Sequence, residues 1–455
     1  MKTILDQDTI AAIATPVGEG ALAIIRVSGP DAITSCDRVF HGKVKLSEAS
    51  SFSIHFGRLV DFRGKVIDEV LASVFRSPSS YSGENTVELS CHGGYYITQK
   101  VFETILSTGV RHAEPGEFTK RAFLNGRMDL SQAEAVAGLI AAKSETYYRA
   151  CMYQLEGRFS AEIKALRTEL LNLSSLLEID LDFSEEGIPL ISTDEILSRI
   201  RALKEHLSQM MSTYENGKRF RDGISVTIVG KPNAGKSSLF NALLSENRAI
   251  VSEKPGTTRD FLEESIFIKG VSFRLADTAG LRDSTDQIEA EGITRTQTLM
   301  ENSDILLCVI DITDSESSDF SVFDSTASNK IIVFNKADIA DVTQSGHQYC
   351  VFDSVIVSAK NNTGLNELRE RLYSSVFHNK TEAKHEQVTS ARHYSLLHRS
   401  VENLDRAEVS IGTKVPNEFV STDIHSAATC LAEIVGEITS DDMLNNIFMK
   451  FCIGK

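Results

Sequence analysis

At 455 residues the chain exceeds what one hydrophobic core usually supports, and about 150 residues per domain points to about three units, one of them split. Apolar residues at 42% and charged residues at 24% are the proportions of a packed globular protein and exclude a disordered one. The formal net charge of −16 argues against tight, non-specific binding to a polyanion, which needs clustered Lys and Arg.

Seven cysteines, scattered from Cys36 to Cys452 without paired spacing, form neither a disulfide framework nor a zinc pattern, and a reducing cytosol fits them best. Met1 to Pro16 lacks an export h-region and an Arg-rich amphipathic stretch. The longest apolar runs, such as Ile305 to Ile310, are strand-sized, so no membrane span and a cytoplasmic location are expected.

From Thr9 to about Phe118, short β-rich runs at Ala21–Val27, Ser53–Val60, Val70–Phe75 and Thr86–Leu89 alternate with Gly and Pro punctuation and one helical stretch near Tyr95–Leu106, which predicts a small α+β domain. From Leu130 the period becomes helical. Ile163, Leu166, Leu170, Leu173 and Leu177 fall on one stripe, as core positions. A second helix follows Gly187-Ile188-Pro189, opened by a capping box of Ser192 with Glu195 and carrying Ile196, Ile200, Leu203, Leu207 and Met210 on one face. Helices predicted over about Ser390–Ser410 and Thr422–Met449 would close a bundle with these two, leaving the segment between as an inserted domain.

That segment opens with a β-branched strand, Ile224–Val229, running into Gly230-Lys231-Pro232-Asn233-Ala234-Gly235-Lys236-Ser237 and a helical Ser238 to Leu244. Strand, glycine loop and helix are the context of a P-loop: backbone N–H groups cradle phosphate oxygens, Lys236 neutralises the outer phosphates and the Ser237 hydroxyl can ligate Mg²⁺. After the strand Ile331–Phe334 comes Asn335-Lys336-Ala337-Asp338, where the Asp338 carboxylate matches two guanine donors and no adenine pattern, so GTP is the expected substrate. Ser358-Ala359-Lys360 resembles the further guanine-contact loop of GTPases, and Asp277-Thr278-Ala279-Gly280 the motif that holds Mg²⁺ through water and offers a Gly N–H to the γ-phosphate. Leu281 stands where Ras-type enzymes carry the water-orienting Gln, which leaves Arg282, Asp283, Asp286 and Glu289 as candidates for that role.

With Gly256-Thr257-Thr258-Arg259-Asp260 and Asn233, the chain resembles the MnmE (TrmE) family of tRNA modification GTPases. The likeness extends to Asp8-Thr9-Ile10-Ala11-Ala12, Ala14-Thr15-Pro16, His92-Gly93-Gly94, Pro115-Gly116-Glu117-Phe118, Arg121-Ala122-Phe123-Leu124-Asn125 and the terminal Cys452-Ile453-Gly454-Lys455. The fold it implies is multidomain, α/β and α+β: an N-terminal α+β folate-binding and dimerisation domain (1–118), a discontinuous α-helical domain (119–222 and 379–455) and an inserted Ras-like P-loop GTPase domain (223–378).

The resemblance further implies a homodimer whose G domains meet during hydrolysis. It also implies a flavoprotein partner, MnmG, in a heterotetramer that adds an aminomethyl or carboxymethylaminomethyl group to carbon 5 of the wobble uridine of certain tRNAs. The one-carbon unit would come from 5-formyl- or 5,10-methylene-tetrahydrofolate, held by Arg26, Glu88, Arg127 and Lys455. A potassium ion would sit on Asn233, Ser252, Lys254 and Thr257, supplying the charge that an arginine finger gives elsewhere. Ser252-Glu253-Lys254-Pro255-Gly256 would form part of the GTP-contacting loop, with Thr258 the switch ligand of Mg²⁺, Glu289 the water-orienting acid and Cys452 needed for tRNA modification. A ribosome-assembly GTPase shares the Asn233 and Gly-Thr-Thr-Arg features, but usually appends a compact basic RNA module.

Overall fold

The computed structural model describes residues 8–182, 192–245, 263–277, 299–301, 303–313, 329–339, 353–377, 388–413 and 415–455. The chain divides into two compact units, one formed by Met1–Ile140, Cys151–Ser208 and Ser395–Lys455, the other by Ala141–Ala150 and Gln209–Tyr394. The second unit is thus inserted, in sequence, between helical segments of the first. Among the described residues no helix is long and apolar enough to cross a membrane.

The first unit carries a seven-stranded sheet whose strands lie in the order Phe40–Gly42, Ser53–Val60, Val66–Phe75, Thr86–His92, Leu22–Ser28, Ile10–Ile13 and Arg111–His112. Alternation builds it: Ala23, Ile25 and Val27 face a core shared with Val87 and Leu89, closed by Ile33 and Cys36 of the helix Ala32–Asp37 and by Val101, Phe102 and Ile105 of the helix Tyr95–Leu106. The off-core face of the same two strands sets Arg26 directly opposite Glu88 in antiparallel register.

The leucine stripe of the helix Arg158–Asp182 is buried, and this helix packs on Asn417–Val435 with a buried hydroxyl pair, Ser174 Oγ to Ser421 Oγ at 2.8 Å. The helix Thr193–Ser212 buries Ile196, Ile200, Leu203, Leu207 and Met210. Only half of the expected capping box forms: Ser192 Oγ accepts from the Glu195 N–H at 3.2 Å, while the Glu195 carboxylate turns forward to Arg199 at 2.6 Å. The helix expected near Ser390–Ser410 runs Ala391–Gly412. The single helix expected over Thr422–Met449 is instead two, Asn417–Val435 and Asp441–Phe448. Gly436 divides them: at φ +83° it caps the first, its N–H and that of Glu437 both donating to the Ala432 carbonyl at 3.0 Å, and Ser440 caps the second by accepting from the Met443 N–H.

A charged cluster ties the start of the first unit together. Arg121, 2% exposed, donates to Asp8 at 2.6 Å and Glu117 at 2.8 Å and reaches Glu84 at 3.3 Å, while Arg111 donates to Asp8 and Glu117 at 2.6 Å each. Burial alone would raise the Asp8 and Glu117 carboxyls, but the bonds from the two guanidinium groups hold both below their ordinary values.

The inserted unit is a six-stranded sheet in the order Ser354–Ile356, Asn329–Asn335, Ile305–Asp311, Ile224–Val229, Val271–Asp277 and Glu263–Ile268, parallel throughout except for the last strand, which is antiparallel to its neighbour. Its inner strands are largely apolar because both faces are covered: Ile305–Ile310 and Ile331–Phe334 are unbroken apolar runs, and Ile224–Val229 is interrupted only by Ser225 and Thr227. Ile224–Val229 lies between the strands that follow it on either side, so strand order reverses there, and the crevice beyond its carboxyl end is where ligands of such sheets bind.

Because the folded carboxyls of Asp8 and Glu117 lie below their unfolded values of 3.8 and 4.5, their stabilisation is full above those values and is lost as pH falls through the folded ones. Arg121→Met should therefore cost about 3–5 kcal/mol at neutral pH, as removal of one member of a buried ion cluster does, and should flatten the loss of stability below about pH 4. Urea unfolding of the full chain at pH 7 and pH 3.5 checks this; a variant with the parent's midpoints at both would contradict it.

Candidate functional site

The turn after Ile224–Val229 is shaped by residues that tolerate positive φ: Asn233 at +65° and Gly235 at +91°. A Cβ on Gly235 would lie 2.2 Å from the side-chain nitrogen of Asn335, so any larger residue would displace the loop. The helix Lys236–Ser245 then begins with its N-terminus facing the crevice. Lys236 folds over the loop and donates to the Gly230 and Lys231 carbonyls at 2.9 Å each. Ser237 and Ser238 are exposed, and the Ser237 hydroxyl donates to Asp277, at the carboxyl end of its strand, at 2.9 Å.

On the other side of the crevice, Asn335 is 2% exposed and satisfied at both ends of its amide. Its nitrogen donates to the Ala234 carbonyl at 3.0 Å and its oxygen accepts from the Ala359 N–H at 3.1 Å, so one side chain joins the phosphate loop to the Ser358–Lys360 loop. Asp338 is exposed and accepts from the Ser358 hydroxyl at 2.7 Å; that bond first, with the Lys360 and Lys336 charges behind it, holds the carboxyl below its ordinary value. It is ionised at neutral pH, an acceptor only, as pairing with two guanine N–H groups requires. Lys336, at φ +68°, is anchored to Asp311 at 2.6 Å.

Asp311 had no place in the sequence reading. The acid ending the apolar run Ile305–Ile310 is visible in the sequence, but its parallel-register pairing with Asn335, which brings it to the site, is not. The segment Ser252, Glu253, Lys254, Pro255, Gly256, Thr257 and Thr258 lies outside the described residues, as do Thr278, Ala279, Gly280, Leu281, Arg282, Asp283, Asp286 and Glu289.

In the first unit, Arg26 Nε donates to Glu88 at 2.8 Å and its Nη1 to the Gly454 carbonyl at 3.3 Å. The Lys455 ammonium joins them; burial first, and the Arg26 charge second, push its pKa down. Two cations face one carboxylate, a donor set that suits an anionic ligand with an amine-bearing ring. Arg127 is exposed, with its side-chain stem alongside Gly83, and makes no described contact with the other three. Cys452 is exposed and its carbonyl accepts from the Gly116 N–H at 3.4 Å. The Asp8, Arg111, Glu117 and Arg121 cluster and Tyr81 complete this end of the sheet, and none of them stood out as chemistry in the sequence.

Asn335→Ala should weaken GTP and GDP binding alike by about 1–3 kcal/mol, since it leaves the Ala234 carbonyl and the Ala359 N–H without their buried partner. Titration of both nucleotides into the full chain measures it; parent affinities would show that the two loops hold their spacing without the amide.

A family model described as the MnmE helical domain matches residues 130–452, and one described as the GTP-binding protein TrmE N-terminus matches residues 9–127. The chain is 41% identical to the tRNA modification GTPase MnmE of Bacteroides fragilis, over 99% of this chain and 100% of that protein. It is 40% identical to that of Carboxydothermus hydrogenoformans over the same shares, and 38% identical to that of Cytophaga hutchinsonii over 98% of each. On these matches, which run from the first sheet to the terminal tail, the chain belongs to the MnmE family of tRNA modification GTPases.

Proposed function

We propose that this chain hydrolyses GTP in the service of tRNA wobble-uridine modification, in the cytoplasm, as a homodimer working with the flavoprotein MnmG in a heterotetramer. The observation that supports it most is the convergence on one crevice of Lys236, the Ser237–Asp277 pair, Asn335 and the Ser358-anchored Asp338. In this reading Asp338 takes the guanine N–H groups, a backbone N–H of the Ser358–Lys360 loop meets the base carbonyl and Lys236 exchanges its loop carbonyls for phosphate oxygens. The Asn233–Ser238 loop, Ser252–Thr258 and Asp277–Gly280 surround the triphosphate. Magnesium on Ser237 and Thr258, and potassium on Asn233, Ser252, Lys254 and Thr257, supply the positive charge that a phosphoryl-transfer transition state needs. The exposed Ser237 hydroxyl beside the Asp277 carboxylate is a donor set that suits the first of these ions. Glu289 orients the attacking water.

The division of labour proposed is residues 1–118 for folate binding and dimerisation, 119–222 with 379–455 as helical scaffold, and 223–378 as G domain. Dimerisation is favoured by Ile54, Phe56 and Leu71, exposed at 67%, 61% and 44% on two neighbouring strands, a patch that a second copy would bury. The folate site is Arg26, Glu88, Arg127 and Lys455, whose acid suits an aminopyrimidine and whose adjoining cations suit acceptor atoms of the same ligand. When bound, 5-formyl- or 5,10-methylene-tetrahydrofolate supplies the one-carbon unit. Cys452, exposed beside that site, acts in modification rather than hydrolysis.

GTP turnover by the full chain, at matched ionic strength, should be high in potassium and low in sodium, because the smaller ion would force a carbonyl cage to contract. Glu289→Ala should bind GTP nearly as the parent does and hydrolyse it about 10²–10⁴-fold more slowly in potassium, since orienting water acts in the transition state. Equal rates in the two salts would remove the potassium site, and an unchanged kcat in the variant would remove Glu289.

A further inference from the structure

Tyr81 sits in a Ser-, Pro- and Gly-rich stretch between two strands, where an aromatic side chain has no periodic reason to be. Its ring is shared by two cations: the Arg26 guanidinium carbon lies 5.1 Å from the ring centroid and the Lys455 ammonium 5.9 Å from it. The two cations belong to residues at opposite ends of the chain, and Glu88, paired with Arg26 at 2.8 Å, is the only carboxylate bonded to either among the described contacts. Like charges this close repel, and burial adds to the cost. The negative face of an aromatic ring offsets both penalties at once without neutralising either cation, which leaves their charge available to a ligand. A second carboxylate in its place would have cancelled that charge.

The ring is also held still. Its hydroxyl is bonded to the hydroxyl of Thr119, itself fully buried, at 2.9 Å, and its body packs on Ile10, Ala12, Ala113 and Phe118. Phe118 backs the same guanidinium at 5.6 Å. From this geometry we infer that Tyr81 is a positioning residue that fixes the spacing of the Arg26 and Lys455 cations and so sets how tightly a carboxylate-bearing reduced folate is held. The inference rests on the folate reading of this pocket. The ring acts on the bound folate only through the two cations.

Calorimetric titration of 5-formyl-tetrahydrofolate into the full-length protein tests it with three variants. Tyr81→Phe keeps the ring face and loses only the Thr119 bond, so its affinity should stay within about twofold of the parent, whereas Tyr81→Leu removes the ring face and should weaken binding about five- to tenfold. Both should melt within a few degrees of the parent; if Tyr81→Leu does not, Tyr81→Met takes its place with the same expectation. Arg26→Ala is the control on the site itself. Loss of binding in Arg26→Ala with parent affinity in Tyr81→Leu overturns the positioning role, and so does a Tyr81→Phe variant as weak as Tyr81→Leu, which would assign the effect to the hydroxyl. Parent affinity in Arg26→Ala overturns instead the folate reading on which the inference rests.

Discussion

A buried amide has to satisfy a donor and an acceptor at once, and Asn335 does so by bonding the Ala234 carbonyl on one side and the Ala359 N–H on the other. Those partners lie on the loop that would cradle phosphates and on the loop that would meet a base. Their separation is therefore set by one rigid side chain at the end of a central strand, in register with Asp311, which in turn anchors Lys336. Gly235 is part of the same constraint, because only a residue without a Cβ leaves room for the Asn335 nitrogen. A site assembled this way is built before the ligand arrives, and less ordering entropy is lost on binding.

The first unit meets a different requirement, that of bringing residue 26 and residue 455 to one pocket. The tail is led there by Phe448 and Phe451, which pack with Leu130 and Leu444, and by the Gly116 N–H bonded to the Cys452 carbonyl. The Arg26 bond to the Gly454 carbonyl completes the closure. Around it the Asp8, Glu84, Glu117, Arg111 and Arg121 cluster fixes the first strand and the helix Glu117–Leu124 by charge, in addition to the apolar packing of Ile10, Ala12 and Phe118. Such a cluster is stable only when complete, so loss of one member leaves a buried charge unpaired.

What the sequence made legible follows from the range of the interactions involved. The P-loop could be read because strand, turn and helix are contiguous, and the stripe from Ile163 to Leu177 because helical periodicity is local. The break at Gly436 was missed because apolar spacing continues on both sides of it, and a glycine inside such a pattern does not announce a left-handed cap. The Glu195 carboxylate left its expected capping role because Arg199, one turn on, offered a charged partner. Arg26 and Glu88 were visible as charges in strands, but their pairing depends on register, and the role of Tyr81 on a tail more than 300 residues away. Neither can be read from local pattern. Asp338 was legible through its motif; its anchoring by Ser358, which holds the carboxyl below its ordinary value, was not.

Guanine reading by Asp338 is the claim on which the rest of the function depends, and competition binding of GTP, ATP and XTP to the parent and to Asp338→Asn tests it most directly. The parent should prefer GTP over both rivals, because its carboxylate accepts from two guanine donors. The variant should turn toward XTP, whose carbonyl replaces the exocyclic amine and pairs with an amide. A variant that still prefers GTP over XTP would contradict the account.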